Sequence, residues 1–216
     1  MRSTLTTAFF RTPDMWRALE AEVLPAMATT ARPTVVWSAG CGTGEEAYTA
    51  AILLAESRPD APRGQGQVIG TDLDPKWVAR ARLGVFADPA VGADRLERWF
   101  EPHPRGVRPV KRLRSMVRFK VGDLLRPETY PHPVGVVLLR NVLWHLQDPA
   151  AVLRRARSCL RPDGRLVLGG SDFRLPELPG RPVPADMFKL RTAPPGLLEL
   201  FDEAEHPLVF APRRAR

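Results

Sequence analysis

The 216-residue sequence predicts an α/β fold built on a doubly wound, mostly parallel sheet, and three observations support this prediction. Short apolar runs alternate with helical stretches along the chain, as they do in βαβ units. A glycine-rich turn at residues 39–44 connects the apolar run 34–38 to a predicted helix over 45–56. An acidic residue, Asp72, then closes the next apolar run, 67–72. Strand, helix and strand in this order favour parallel pairing through right-handed crossovers.

The remaining elements follow the same alternation. Pro13 behind Thr12 predicts a helix start, with apolar residues spaced along one helix face over 13–28. Pro75 predicts a second helix after the strand that ends at Asp72. Further strands are predicted at 116–121, 135–139, 165–169 and 208–210, with a helix near 149–160 and a turn at 162–164. Residues 84–115 are rich in Pro, Gly and Arg, and we interpret them as an insertion with little core of its own.

Composition limits the class of protein. Hydrophobic residues at 44% and charged residues at 26% are ordinary globular values, so a wholly disordered chain is excluded. No apolar run approaches ~18 residues and no secretory signal is visible, so we expect neither a membrane span nor secretion. The two cysteines, Cys41 and Cys159, form neither a disulfide framework nor a metal-ligand spacing. We therefore expect a reduced, cytoplasmic protein without a bound metal.

The chain is strongly basic, with a formal net charge of +8 at pH 7. Only four of the 32 basic residues are lysines, which is typical either of a biased genomic composition or of an acidic partner. That partner could be a nucleic acid, an acidic protein surface or a carboxylate substrate. A nucleic acid is disfavoured because the most basic stretch, 105–120, contains Phe119 as its only aromatic residue. Its basic residues are Arg105, Arg108, Lys111, Arg112, Arg114, Arg118 and Lys120.

The glycine turn and the acidic residue beyond it predict a nucleotide-cofactor site. Gly40 and Gly42 let a ligand lie against bare backbone, and the Asp72 carboxylate can accept hydrogen bonds from ribose hydroxyls. Glu45 and Glu46 stand where a dinucleotide would place its pyrophosphate, and like charges ~4 Å apart repel by ~4 kcal/mol at an effective dielectric constant near 20. S-adenosylmethionine instead carries a sulfonium and an ammonium, which carboxylates attract. The sequence therefore favours S-adenosylmethionine, with S-adenosylhomocysteine as product, over NAD.

Polar residues follow two further predicted strands. Asp123 is placed to bond an adenine amino group, although an aspartate in this position can also cap a turn or a helix. Arg140 and Asn141 end the central strand, at the edge where α/β sheets bind ligands. Because charged and amide groups are costly to bury without partners, a site role is favoured over a helix-capping role for Asn141.

Six segments together resemble the CheR-type, or chemotaxis-receptor, S-adenosylmethionine-dependent methyltransferase family. The first is a Thr-Ala-Phe-Phe-Arg entry and the second is a Trp-Ser turn that ends in Thr-Gly-Glu-Glu, which is more specific than a generic glycine turn. The six segments are residues 7–11, 37–46, 70–74, 79–86, 140–142 and 160–164. They are spread over most of residues 7–170.

The resemblance implies a Rossmann-like class I methyltransferase fold and a set of site residues. Residues 1–216 would form a single methyltransferase domain, with 1–30 as a cofactor-lid segment and helix and 86–116 as a small insertion subdomain that can bind a receptor tail. The family methylates glutamate side chains of receptor helices. By resemblance, Thr7 and Arg11 approach the cofactor, Glu45 holds its methionine end, Asp72 its ribose, Asp123 and Leu124 its adenine, and Arg140 and Asn141 lie beneath the reacting centre.

Three departures from the family pattern leave the methyl acceptor open. Members usually carry an all-helical N-terminal domain, which we expect to be lacking here. Leu5 stands where asparagine is common, and His145 stands where a site-lining tyrosine is usual. A carboxylate acceptor is already ionised at pH 7 and needs no general base, and Arg11 could bind it bidentately. His145 would be a sensible base for a hydroxyl or amine acceptor, and the alternative interpretation is a packed or capping histidine.

The expected function is methyl transfer to a carboxylate of an acidic protein or of a small molecule, with Arg11 and His145 as candidate catalytic residues. One alternative is a small-molecule O- or N-methyltransferase that uses the same cofactor. A less favoured one is an RNA-binding or RNA-modifying protein. The last is a non-catalytic sensor or scaffold that keeps the cofactor pocket.

Overall fold

The structure is a computed structural model that places a seven-stranded sheet at the centre of the chain. The strand order is β5-β2-β1-β6-β7-β9-β8, and all pairs are parallel except those that β9 makes with β7 and β8. This order confirms the predicted doubly wound, mostly parallel sheet. A separate antiparallel pair joins β3 and β4. The strands are β1 Thr34–Ala39, β2 Gly66–Asp72, β3 Phe100–His103, β4 Gly106–Pro109, β5 Val117–Val121, β6 Val134–Leu139, β7 Leu160–Leu168, β8 Phe201–Glu203 and β9 Val209–Pro212. The structure describes residues 7–28, 33–57, 66–126, 130–131, 133–172, 201–203 and 209–212.

Proline and aspartate residues fix several helix starts. Pro75 opens its helix behind Asp74, whose Oδ1 accepts a hydrogen bond from the Lys76 amide at 2.8 Å. Asp148 caps a later helix in the same way. The helices are α1 Pro13–Ala18, α2 Leu24–Ala28, α3 Glu45–Ser57, α4 Pro75–Leu83, α5 Ala93–Trp99, α6 Lys111–Met116 and α7 Pro149–Cys159. A π-helical stretch, Leu19–Val23, joins α1 to α2, and two short 3-10 helices span Leu143–His145 and Gly170–Asp172.

The buried side chains form one cluster on each face of the sheet. Successive residues of a strand point to opposite faces, and β1 illustrates this because Val36 joins one cluster and Trp37 the other. The first cluster contains the buried faces of α1, α2 and α3, and the second contains that of α7. Among the described residues, no helix is long and apolar enough to cross a membrane.

The predicted insertion contributes to the main core. It folds into α5, the β3–β4 pair and α6, and its buried residues Trp99, Phe100 and Leu113 belong to the same cluster as α3. The Phe9 ring packs edge-on against Phe86 and Phe100, with centroids 4.9 and 5.5 Å apart. The apolar residues of the insertion therefore belong to the same core as the sheet.

The structure differs from the sequence prediction near the start of β7. We predicted a turn at 162–164 and a strand from Arg165, but β7 begins at Leu160. The pairing with β6 shifts between Val134↔Leu160 and Val136↔Arg165, so the predicted turn lies within an irregularity of the strand. β8 was not predicted, and residue 208 of the predicted last strand lies outside the described residues.

Close packing across β2 leaves no room for a side chain at Gly70. A Cβ built on Gly70 would lie 2.5 Å from Cδ1 of the buried Phe119 ring and 3.1 Å from Cys41 Sγ. Gly70→Ala is therefore expected to lower the free energy of unfolding by about 1–3 kcal/mol, measured by urea denaturation. Gly66→Ala in the same strand is the matched control, because its Cβ would meet its nearest atom at 3.6 Å. Equal effects of the two substitutions would contradict the packing argument.

Candidate functional site

The predicted site lies at the carboxyl ends of β1, β2 and β6, where the turn between β1 and α3 reverses the chain. Gly40, Gly42 and Gly44 have φ angles of 77°, 54° and 100°, which residues other than glycine rarely adopt. The amides of Gly40 and Cys41 donate to the Thr71 carbonyl at 2.8 and 2.9 Å. The turn is therefore anchored to the end of β2, and its unusual backbone conformation depends on glycine.

Asp72 anchors the same turn through its side chain. Its Oδ2 accepts a hydrogen bond from the Gly42 amide at 2.9 Å, and its Oδ1 accepts one from the Asp74 amide at 3.0 Å. Each carboxylate oxygen has two lone pairs, so both keep capacity for a further donor. The structure thus gives Asp72 a contact with the glycine turn that the sequence did not predict. Its predicted contact with ribose stays a prediction.

The N-terminal segment meets the first turn of α3 at Glu45. Glu45 Oε2 accepts hydrogen bonds from the hydroxyls of Thr7 at 3.1 Å and of Thr43 at 2.6 Å. Two residues that the sequence assigned to the cofactor site, Thr7 and Glu45, are therefore in contact. The carboxylate lies at the end of the glycine turn, where it can attract a cationic group.

Glu46 has a different environment from its neighbour. Its Oε2 lies 3.0 Å from a terminal nitrogen of Arg140, and its Oε1 accepts a hydrogen bond from the Ser38 hydroxyl at 2.7 Å. Burial raises the pKa of Glu46, against the lowering effect of Arg140. Only 2% of the Arg140 side chain is exposed, and its guanidinium faces Glu46 and the N-terminal segment. Its predicted contact with the cofactor stays a prediction.

Sequence reasoning missed Asp172, which is buried beside Asn141. Its carboxylate accepts hydrogen bonds from the amides of Asn141 at 2.6 Å, Leu143 at 2.9 Å and Gly169 at 2.8 Å. Asn141 itself has a φ angle of 58°. The Asn141 Oδ1 accepts a hydrogen bond from the Ser171 hydroxyl at 2.6 Å. Asp172 and Ser171 therefore hold the loop after β6 in its shape.

That loop also touches the glycine turn. A Cβ built on Gly40 would lie 2.8 Å from Cγ2 of Val142. The loop after β6 and the turn after β1 are thus packed against each other without spare room. The structure brings Asn141 to the edge of the sheet that the sequence predicted.

The residues predicted to frame the adenine lie in the turn after β5. Asp123 Oδ1 accepts a hydrogen bond from the Leu125 amide at 2.8 Å, which is the turn-capping role that the sequence left open. The Leu124 carbonyl accepts a hydrogen bond from the Tyr130 hydroxyl at 2.6 Å. The Gly122 amide donates to the Asp72 carbonyl at 3.0 Å, so this turn is joined to the end of β2. Adenine contacts of Asp123 and Leu124 stay predictions.

The two candidate catalytic residues occupy different elements. Arg11 has an exposed side chain, while its carbonyl accepts hydrogen bonds from Arg140 at 2.7 Å and from the Trp16 indole at 3.0 Å. His145 is exposed at the end of the 3-10 helix that follows the loop after β6. Cys41 is buried and burial raises the pKa of its thiol, which argues against a nucleophilic role. Among the described residues, no cluster of three or more His, Cys, Asp or Glu side chains could hold a metal ion.

A comparison with protein families decides the class. The profile of the CheR methyltransferase SAM-binding domain matches residues 5–181. The chain belongs to the CheR methyltransferase family. The matched domain is the one that binds S-adenosylmethionine, and the glycine turn with Glu45 and Asp72 lies inside it.

Individual relatives match most of this chain but only part of their own length. The chemotaxis protein methyltransferase of Escherichia coli is 33% identical over 184 residues, which cover 79% of this chain and 61% of the relative. An uncharacterised 104.1 kDa protein of Rhodobacter capsulatus is 35% identical over 180 residues, which cover 77% of this chain and 18% of the relative. The chain thus spans about three-fifths of the length of the first relative. Among solved structures, a TehB-like SAM-dependent methyltransferase from Corynebacterium glutamicum is 21% identical to this chain, with a TM-score of 0.41. The alignment covers 73% of this chain and 69% of the methyltransferase.

Proposed function

We propose that the protein transfers a methyl group from S-adenosylmethionine to a carboxylate, as a CheR-like carboxyl O-methyltransferase. The observation that carries the proposal is the Glu45 carboxylate, which two threonine hydroxyls orient at the end of the glycine turn. A cofactor with a cationic methionine end and no phosphate fits this arrangement, because a phosphate would meet a negative charge there. The left-handed glycines next to it supply a backbone that a ligand can approach closely.

The predicted site residues have separate roles in the proposed reaction. The bound cofactor supplies an electrophilic methyl group on a cationic sulfur. Glu45 and Asp72 would hold the methionine and ribose parts of the cofactor, and Asp123 and Leu124 would flank its adenine. The exposed Arg11 guanidinium would bind the acceptor carboxylate bidentately. No proton has to be removed from an ionised carboxylate, so the rate would rest on alignment and on exclusion of water.

The acceptor proposed is an acidic protein, with a small-molecule carboxylate as the other possibility for the same chemistry. The net charge of +8 favours an acidic partner. We further propose that residues 1–216 act as one cytoplasmic methyltransferase domain, with 1–30 as a lid segment and helix and 86–116 as an insertion. The contacts of the Phe9 ring with Phe86 and Phe100 support the assignment of these segments to one domain.

Exposed His145 favours a second candidate function, methyl transfer to a hydroxyl or amine of a small molecule. A neutral imidazole could remove the proton that such an acceptor must lose. The two candidate functions share the cofactor and differ in whether a general base is needed.

Calorimetric titration with S-adenosylmethionine and S-adenosylhomocysteine, with NAD as the control ligand, tests the cofactor. We expect micromolar binding of the first two and none of NAD. Transfer of a labelled methyl group to acidic proteins and small carboxylates then tests the reaction. Methyl esters release methanol in mild base, whereas methyl ethers and N-methyl groups do not. A base-stable product would overturn the carboxylate proposal in favour of the second candidate.

His145→Ala separates the two candidate functions kinetically. With a carboxylate acceptor we expect kcat to change by less than about tenfold, because general-base catalysis, which contributes about 10²–10⁴-fold, is not used. The pH dependence of kcat should also be the same in His145→Ala as in the unmodified protein. His145→Asn, which keeps a polar side chain of similar size, is the control. A loss of about 100-fold or more in His145→Ala would assign His145 as a base.

A further inference from the structure

A buried ion pair links the N-terminal segment, residues 7–12, to the centre of the sheet. Arg140 at the end of β6 binds Glu46 with one terminal nitrogen at 3.0 Å. Its other terminal nitrogen donates to the Arg11 carbonyl at 2.7 Å and to the Thr12 hydroxyl at 3.1 Å. A single guanidinium thus connects α3 and β6 with the segment that carries Arg11.

The segment held by this pair is conformationally strained. Phe10 and Thr12 have φ angles of 50° and 66°. Left-handed backbone is unfavourable for both residues, most of all for the β-branched Thr12, and it persists only where the surroundings impose it. The Phe10 amide donates to the Thr49 hydroxyl at 3.2 Å, and the Trp16 indole donates to the Arg11 carbonyl at 3.0 Å. The geometry is therefore maintained by hydrogen bonds from outside the segment.

The pair is a poor means of gaining stability alone. Only 2% of the Arg140 side chain and 14% of the Glu46 side chain are exposed, and desolvation of two such charges offsets most of their attraction. The Nε of Arg140 is buried and has no acceptor among the described residues. The ion pair therefore adds little stability, while the second terminal nitrogen of Arg140 binds a strained segment. This combination indicates that the pair positions the segment.

We infer that Glu46 is a positioning residue, which acts through Arg140 to hold residues 7–12 at the cofactor site. Glu46 fixes the guanidinium, the guanidinium fixes Arg11 and Thr12, and the strained turn presents Thr7 to Glu45 and the Arg11 side chain to the acceptor. The inference rests on the proposed function for the roles of Thr7 and Arg11. It departs from the sequence prediction by giving Arg140 no direct contact with the cofactor.

Limited trypsin digestion of the full chain tests the hold on the segment and needs no cofactor. The Arg11–Thr12 bond has an exposed arginine side chain, while two hydrogen bonds restrain its carbonyl. The rate of cleavage at this bond is measured by mass spectrometry. In Glu46→Gln we expect this rate to be at least about tenfold higher than in the unmodified protein. Thr12→Val removes only the hydroxyl that contacts Arg140, keeps the side-chain shape and should speed cleavage several-fold. Thr12→Val therefore still tests the inference if Glu46→Gln does not fold.

Asp163→Asn is a control for the loss of a carboxylate from a buried arginine, because the half-exposed Asp163 pairs with Arg161 outside the site. It should leave cleavage at Arg11 unchanged. Calorimetry with S-adenosylhomocysteine then gives the second readout, for which we expect about tenfold weaker binding by Glu46→Gln.

Two results would overturn the inference. The first is an unchanged cleavage rate at Arg11 in both Glu46→Gln and Thr12→Val. The second is a loss of S-adenosylhomocysteine affinity while cleavage stays slow, which would mean that the pair contacts the cofactor directly. Absence of cofactor binding by the unmodified protein would instead overturn the proposed function, and the cleavage comparison would still decide the role of the pair in holding the segment.

Discussion

Replacing Asp72 with alanine is expected to lower the affinity for S-adenosylhomocysteine by at least about 100-fold, measured by isothermal titration calorimetry. The substitution removes the proposed acceptor for the ribose hydroxyls. It also leaves the Gly42 amide without the carboxylate oxygen that now lies 2.9 Å away. Because Gly42 holds a φ angle of 54°, losing this contact loosens the turn that would face the ligand. Both consequences weaken binding in the same direction.

Two further variants separate these consequences. Asp72→Asn keeps one oxygen for the Gly42 amide, so a smaller loss, about tenfold, is expected. Asp74→Ala removes a carboxylate two residues further on, whose Oδ1 caps α4 through the Lys76 amide. It should lower the free energy of unfolding by about 1 kcal/mol and leave the affinity unchanged. Unchanged affinity in Asp72→Ala would remove the ribose assignment.

Asp172→Ala is expected to be strongly destabilising, by about 3–5 kcal/mol in urea denaturation. The substitution leaves the part-buried amide of Asn141 and the buried amides of Leu143 and Gly169 without their acceptor. A larger residue at position 169 could not fill the space left by the lost carboxylate, because a Cβ on Gly169 would lie 2.2 Å from Asn141 Oδ1. Ser171→Ala is the milder comparison, since it removes one exposed hydrogen bond to Asn141 and should cost less than about 1.5 kcal/mol.

The same carboxyl group gives stability a pH dependence. Burial raises the pKa of Asp172 from 3.8 to about 6, against the backbone hydrogen bonds, which favour the charged form. Between about pH 4 and pH 6 the folded chain therefore holds a proton that the unfolded chain has released. The free energy of unfolding that this group contributes falls as pH rises through that window, by roughly 2–3 kcal/mol. Subtracting the pH profile of Asp172→Asn from that of the unmodified protein isolates the slope, and a flat difference between pH 4 and 6 would contradict it.

Much of the fold could be predicted from local patterns. The glycine turn, the acidic end of β2 and the proline-marked helix starts are each encoded within a few residues, so their positions agree with the structure to within one or two residues. The sequence predicts the start of β7 at Arg165, whereas the strand begins at Leu160, because residues 162–164 have the sequence pattern of a turn. Only the pairing of Leu160 with Val134, which is distant in sequence, shows that they continue the sheet.

The candidate site was less accessible to sequence reasoning. Glu45 and Glu46 are adjacent at the start of α3, but one helical residue turns the chain by about 100°, so they face different surroundings. Which one would meet Arg140 depends on the packing of β6 against α3. Asp172 carries no local signal, because two of its partners, Asn141 and Leu143, lie 31 and 29 residues away.

The contact between Arg140 and the Arg11 carbonyl spans 129 residues, and this has a consequence for synthesis on the ribosome. At about 5–20 residues per second, Arg11 is made roughly 6–26 s before the residue that will hold it. During that interval the strained turn has no guanidinium to bind, so we expect it to stay out of its native conformation. A segment that is translated well before β6 is thus among the last to reach its native conformation. The protein becomes competent to bind its cofactor only after β6 has been translated and paired.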